Sequence, residues 1–238
     1  DLMKLFMLHN ALKLKGAEYV SLVLPYVPYA RQDRACARGD AFSLKVFSDI
    51  INQIGFDSIT IVDPHSDVAP AVINNCSVIS QMDIINKSDV LTNLVVNTTL
   101  ISPDAGSNKK MHSLSTYTSK EFIRADKLRD VCTGQIKETV VYCDDLGGKN
   151  VTIVDDICDG GRTFIELAKV LKKKNCGEVN LFVTHGIFSK GVQTIYDNGI
   201  DNIYTTNSFK EWDVYDSYVM HDNRFHLIKL ENLGLIYK

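Results

Sequence analysis

Val151-Thr152-Ile153-Val154-Asp155-Asp156-Ile157-Cys158-Asp159-Gly160-Gly161-Arg162-Thr163 decides how the rest of the chain is read. Its opening run of β-branched residues predicts a buried strand, and two adjacent acids end it. After the glycines, Thr163 to Lys174 carries apolar residues at 164, 165, 167, 168, 170 and 171, the spacing of an amphipathic helix. Glu178 to Thr184 then reads as a second buried strand. Such a β-loop-α-β unit with apolar strands implies a parallel sheet covered by helices and joined by right-handed crossovers.

The rhythm extends in both directions. Residues 2–14 repeat apolar side chains at helical spacing, and Tyr19 to Leu24 is a short apolar strand. Ser43 to Ile54 is amphipathic, Gly55 stops it, and Ser58 to Val62 forms another strand ending at Asp63. Ser66 to Ile79 continues the alternation, Met82 to Leu91 predicts a helix, and Thr98 to Ile101 and Phe225 to Ile228 read as strands. A soft boundary near residue 80 divides the chain into 1–79 and 80–238. Ligands of such sheets collect at the carboxyl ends of strands. Those ends carry Tyr29-Ala30-Arg31-Gln32-Asp33-Arg34, Asp63-Pro64-His65, Ser102-Pro103-Asp104-Ala105-Gly106 and the loop after Asp155.

Adjacent acids on a strand end repel unless a cation or hydroxyls satisfy them. Glycines behind them let backbone N–H groups converge on an anion, and a helix N-terminus adds partial positive charge. Acids for ribose hydroxyls and a loop for a phosphate together fit a sugar phosphate. The plainer reading keeps Asp159 as a helix cap and Asp155 and Asp156 as solvated turn residues. Composition is ordinary for a globular protein: of 238 residues, 45% are hydrophobic and 23% charged. A net charge of -3 argues against duplex nucleic acid as a partner. The six cysteines stand apart with no C-x-x-C pair, which fits reduced thiols in a cytoplasm. No apolar run approaches the roughly 20 residues of a membrane span, and the first residues lack the basic-then-apolar order of a signal peptide.

Val151 to Thr163 resembles, in order and spacing, the phosphoribosyl diphosphate loop of the type I phosphoribosyltransferase fold. Tyr29 to Arg34 resembles the Y-A-R-Q-D-R segment of the ribose-phosphate diphosphokinases, which make phosphoribosyl diphosphate rather than consume it. The resemblance implies two type I phosphoribosyltransferase-like domains, each a mainly parallel sheet flanked by helices, with ATP and Mg²⁺ on the N-terminal side and ribose 5-phosphate on the C-terminal side. It implies that Arg31, Gln32, Arg34 and His65 contact ATP, and that His65 and Asp104 ligate magnesium. Asp104, Ala105, Gly106 and Ser107 stand at the diphosphate loop, with Ser107 replacing a glycine. Asp155, Asp156, Asp159, Gly160, Gly161, Arg162 and Thr163 stand at the ribose 5-phosphate site.

Asp126-Lys127-Leu128-Arg129 resembles the family's flexible catalytic loop, implying catalytic roles for Lys127 and Arg129, with Lys120 and Arg124 as nearby cations. Residues 130–139 lack periodicity, as a mobile lid does. Val183 to Ser189 resembles T-H-P-I-F-S, with His185 read as mainly architectural. Two departures stand out. Arg162 occupies the second glycine of a T-G-G-T turn, and residues 1–238 do not include the family's upstream stretch with its F-x-D-G-E loop or its C-terminal helix, so the resemblance implies a chain that is N-terminally incomplete. The resemblance is closest to a divergent branch often paired with nicotinamide salvage, and it implies a homo-oligomer, dimer or hexamer. The alternatives are a phosphoribosyltransferase and a non-catalytic regulatory relative.

Overall fold

A computed structural model describes residues 2–129, 136–212 and 222–236. The chain divides into two compact units, Asp1–Ser80 and Gln81–Lys238. In the first, α1 (Leu2–Leu14), β1 (Ser21–Leu24), α2 (Ser43–Ile54), β2 (Ser58–Val62), α3 (Val68–Val72) and β3 (Cys76–Ile79) follow one another. The three strands form a parallel sheet in the order β1-β2-β3. Helix α2 buries Leu44, Phe47, Ile51 and Ile54 on one face and stops at Gly55, whose φ of 82° is the left-handed cap that glycine adopts without steric cost. Ser66 to Ile79 resolves into the short α3 and β3.

The second unit runs α4 (Gln81–Lys87), α5 (Asp89–Asn97), β4 (Thr99–Ser102), α6 (Asn108–Thr118), β5 (Phe122–Arg129), β6 (Ile136–Val141), β7 (Val151–Cys158), α7 (Arg162–Lys173), β8 (Val179–Gly186), α8 (Val192–Tyr196), β9 (Asn202–Thr206) and β10 (Phe225–Ile228). The helix expected over Met82 to Leu91 is two helices, broken at Ser88, whose side chain caps α5 by accepting from the Leu91 amide. Its seven strands lie in the order β10-β9-β8-β7-β4-β5-β6. All neighbours are parallel except β5 and β6, which form an antiparallel edge pair. Strands β7 and β8 are buried along nearly their whole length, as expected at the centre of a sheet covered on both faces. Helix α7 packs Phe164, Ile165, Leu167, Ala168 and Leu171 inward; each such apolar side chain contributes about 1.5–3 kcal/mol on full burial.

Order and direction together locate the ligand crevice. From β7 the chain builds outward through β8, β9 and β10, whereas β4, β5 and β6 build the other way. The reversal lies between β7 and β4, and ligands of open parallel sheets bind outside the carboxyl ends of strands at that switch point. The loop after Ser102 and the acids of β7 flank it.

A candidate sugar-phosphate and diphosphate site

Each unit carries its own set of candidate residues. In the first, Tyr29 to Arg34 lies in the loop after β1, with Tyr29 held at φ 62°. Arg31 and Gln32 are exposed. Asp33 is buried, and Arg34 grips its carboxylate bidentately, Nε to Oδ1 at 2.7 Å and Nη2 to Oδ2 at 3.0 Å. Sequence reading assigned Arg34 to ATP; in the structure its fork is directed at Asp33. That pairing, with help from Ser66 and His65, holds the Asp33 carboxyl down at about 2, against an ordinary 3.8, even though burial pulls the other way. After β2, Asp63 is buried at φ 38° and turns the chain so that His65 stands exposed beyond the strand.

A folded pKa below the unfolded one stabilises the protein above the unfolded value and stops doing so as pH falls through the folded value. Asp33→Asn is therefore expected to lower stability by about 1 kcal/mol at neutral pH, after allowing for solvent screening of the exposed arginine. The gap to wild type narrows as pH falls from 3.8 towards 2. Thermal melts across that range check it; a pH-independent gap would assign the effect to packing.

In the second unit the loop after β4 is closed on itself. Asp104 Oδ1 accepts from the amides of Gly106 (3.0 Å) and Ser107 (3.3 Å), while the hydroxyls of Ser102 and Ser107 donate to the Asp104 carbonyl. The carboxylate thus occupies an amide nest formed by its own loop, a concavity of the kind that takes an anion. Ala105 is exposed at the loop tip. Lys127 reaches from β5 and donates from Nζ to Asp104 Oδ2 at 2.8 Å, with its side chain 10% exposed.

The acid pair behaves as two unlike groups. Asp156 is buried, its Oδ2 3.9 Å from Lys110 Nζ. Asp155 is partly exposed. Its carboxyl is nonetheless pushed well above the usual range, chiefly by desolvation and then by the charges of Asp156 and Asp104. A carboxyl raised in this way is best satisfied by donors such as hydroxyls, or by a cation.

In the loop after β7, the two glycines that the sequence placed behind the acids differ in conformation. Gly161 turns the chain at φ 74°, with no positive φ at Gly160. A Cβ at Gly161 would lie 3.0 Å from Ile195 Cγ1, so space and backbone both demand glycine there. Asp159 and Thr163 are partly exposed around it, and Arg162, exposed, is the first residue of α7.

Lys127 and Arg129 lie on β5, paired antiparallel with β6 across a register shift at Leu128/Arg129, rather than in an irregular loop. Alternation along the hairpin was hidden by its charged residues. The side chain of Arg129, and residues 130–135 of the expected lid, lie outside the described residues; 136–139 belong to β6. His185 is buried with Nδ1 2.7 Å from Ser208 Oγ. Sequence reading missed Lys110, although a cation one turn into the helix after the Asp104 loop is a usable signal. It also missed Gln81, which no motif marks.

Magnesium requires oxygen donors and commonly keeps one or two protein ligands besides phosphates and water. Asp104 fits, being a carboxylate with 36% of its side chain exposed. Among the described residues no group of three or more His, Cys, Asp or Glu gathers as a metal cage.

Comparison with known proteins supplies the family. A model described as the N-terminal domain of ribose phosphate pyrophosphokinase matches residues 1–55, and one described as the phosphoribosyl synthetase-associated domain matches 87–220. The ribose-phosphate pyrophosphokinase of Mycoplasmopsis pulmonis is 30% identical over 222 residues, covering 92% of this chain and 68% of its own. That of Sulfolobus acidocaldarius is 28% identical over 214 residues, covering 88% and 72%. The crystal structure of phosphoribosylpyrophosphate synthetase from Mycobacterium smegmatis superposes with a TM-score of 0.82 at 21% identity, covering 98% of this chain and 75% of that one, and so shares the fold.

Proposed function

The chain belongs to the ribose-phosphate pyrophosphokinase family, and from that premise we propose how its residues move the β,γ-diphosphate of MgATP to the 1-hydroxyl of ribose 5-phosphate, releasing AMP. The observation that carries the assignment is the convergence, at one switch point, of an acid pair of which Asp156 is buried, a glycine-turned loop and the Asp104–Lys127 pair.

Asp155 and Asp156 accept hydrogen bonds from the ribose hydroxyls and so orient the sugar. Asp159 to Thr163, at the N-terminus of α7, holds the 5-phosphate, where amides and helix dipole favour an anion. The 1-hydroxyl oxygen then attacks the β-phosphorus in line, giving its proton to solvent, as the bond to the AMP oxygen breaks and AMP leaves with that oxygen. Arg31, Gln32, Arg34 and His65 are the residues assigned to ATP on the 1–79 side; 80–238 takes the ribose phosphate. Asp104 would hold Mg²⁺, which would supply charge neutralisation at the phosphates. When the diphosphate enters, Asp104 turns out of its own amide nest, leaving Gly106 and Ser107 to donate to phosphate. Lys127, released from Asp104, stabilises charge growing on the transferring group, and Arg129 is assigned the same task.

AMP release from ATP that depends on added ribose 5-phosphate tests the assignment. Absence of that dependence, with turnover of phosphoribosyl diphosphate instead, would point to a transferase; nucleotide binding without turnover would point to a regulatory relative. The described cysteines, all free, support a reducing, cytoplasmic setting. Among the described residues no helix is long and apolar enough to cross a membrane. Exposed Met3, Met7 and Leu8 on α1 support self-association, which light scattering measures.

Arg162→Gly tests the phosphate loop. Gly161 already carries the left-handed turn, so the variant is expected to fold. A lost charge-assisted phosphate contact weakens ribose 5-phosphate binding by about 1.5–3 kcal/mol, roughly 10–150-fold, with ATP affinity little changed. Equal affinities in calorimetric titration would make Arg162 an outward-facing passenger.

A further inference from the structure

We infer that Gln81 is a positioning residue for the sugar site, setting the peptide from which both acids of the pair project. The inference rests on the assignment of ribose 5-phosphate to Asp155 and Asp156. Gln81 opens α4, is 6% exposed, and belongs to no motif. Its Nε2 donates to the carbonyl of Asp155 at 2.7 Å and to the Thr184 hydroxyl at 3.1 Å. An amide nitrogen has two N–H groups, so one side chain serves both acceptors.

What it holds is unusual. Pairing between β4 and β7 ends at Ile101 with Ile153, two residues before Asp155, so β7 runs beyond its β4 neighbour where the acids stand. There Gln81 takes the carbonyl side of the 155–156 peptide, while the amide of Asp156 donates to Asp155 Oδ1 at 3.0 Å on the other side. Both polar groups of that peptide are thereby held, and the peptide carries the Cα atoms of both acids. The second anchor is itself braced: the Thr184 carbonyl accepts from Thr206 Oγ1 (2.7 Å) and Ser208 Oγ (2.9 Å), and Ser208 also meets His185. Gln81 therefore ties the acid pair to the ends of β8 and β9, which is the supporting layer a sub-ångström ligand geometry needs.

Gln81→Met keeps length and volume and removes the donors. In the full chain it is expected to fold, to leave the KM for ATP near wild type, and to weaken ribose 5-phosphate by about tenfold in KM and in calorimetric affinity. Gln81→Glu, which at neutral pH offers no N–H, is expected to lose at least as much, and Thr184→Val, which removes one anchor, to lose less. Wild-type ribose 5-phosphate affinity in a folded Gln81→Met would overturn the inference. So would failure of that variant to fold, or equal loss of ATP and ribose 5-phosphate, since either would make Gln81 a general packing residue. Failure of wild type itself to bind ribose 5-phosphate would instead overturn the assignment of the site.

Discussion

Lys127→Ala is expected to cut kcat by about 10²–10³-fold while raising the KM for ribose 5-phosphate far less, the signature of a group needed in the transition state. Transferring a diphosphate makes little use of covalent help from the protein, so positioned cations account for much of the rate. Loss of one such donor costs about 2.7–4 kcal/mol. Lys127 is well placed for this because its stem is shielded and its ammonium already lies 2.8 Å from Asp104 Oδ2, at the mouth of the amide nest. Lys120 is engaged elsewhere, donating to the Val96 carbonyl. Arg124 is exposed farther back along β5. Steady-state kinetics with both substrates decides the matter, and an unchanged kcat would remove Lys127 from the mechanism. Lys127→Arg distinguishes charge from geometry: partial recovery is expected, because the guanidinium keeps the charge but not the compact ammonium shape.

The parts of this protein that sequence alone made legible are those where one physical demand dominates. Val151 to Thr163 must bury a strand and turn it with glycine into a helix, and the structure places β7 and α7 there with helix ends displaced by one residue; the strand does not stop at the acids, as the sequence suggested, but pairs with β8 through them to Cys158. The seven-stranded order was not legible, because pairing between β4 and β7 joins segments some fifty residues apart and no local pattern encodes it. The β5–β6 hairpin was hidden by Arg124, Asp126, Lys127 and Lys137, which mask alternation. The network of Gln81 and Thr184 was invisible for another reason: both are ordinary polar residues whose role exists only once helix and strand ends meet. Ser107 shows the converse. It replaces a glycine that the resemblance implies, and its hydroxyl, which donates to the Asp104 carbonyl and lies 2.9 Å from Ser102 Oγ, adds contacts to the loop that a glycine could not make.

Asp155→Asn is expected to separate stability from function. Losing a carboxylate that accepts from ribose hydroxyls should weaken ribose 5-phosphate by about 1.5–3 kcal/mol, roughly 10–150-fold, since charge-assisted hydrogen bonds are the strong ones. The fold should gain. Desolvation first, then the neighbouring Asp156 and Asp104, raises the Asp155 carboxyl well above 3.8 in the native state. The native protein therefore holds a proton that the unfolded chain releases, and stability falls as pH rises from the unfolded pKa through the folded one. Asparagine carries no titrating proton and keeps an oxygen that can accept from the Asp156 amide, as Asp155 Oδ1 does at 3.0 Å. The variant's melting temperature should therefore match or trail wild type below pH 3.8, where both side chains are neutral, and exceed it increasingly as pH rises. Melting curves between pH 3.5 and 8, read beside ribose 5-phosphate titrations at the upper end, test both halves. A variant less stable than wild type at pH 8 would mean that the Asp155 charge is compensated in the native site, by Lys110 or Lys127, rather than held there against its desolvation.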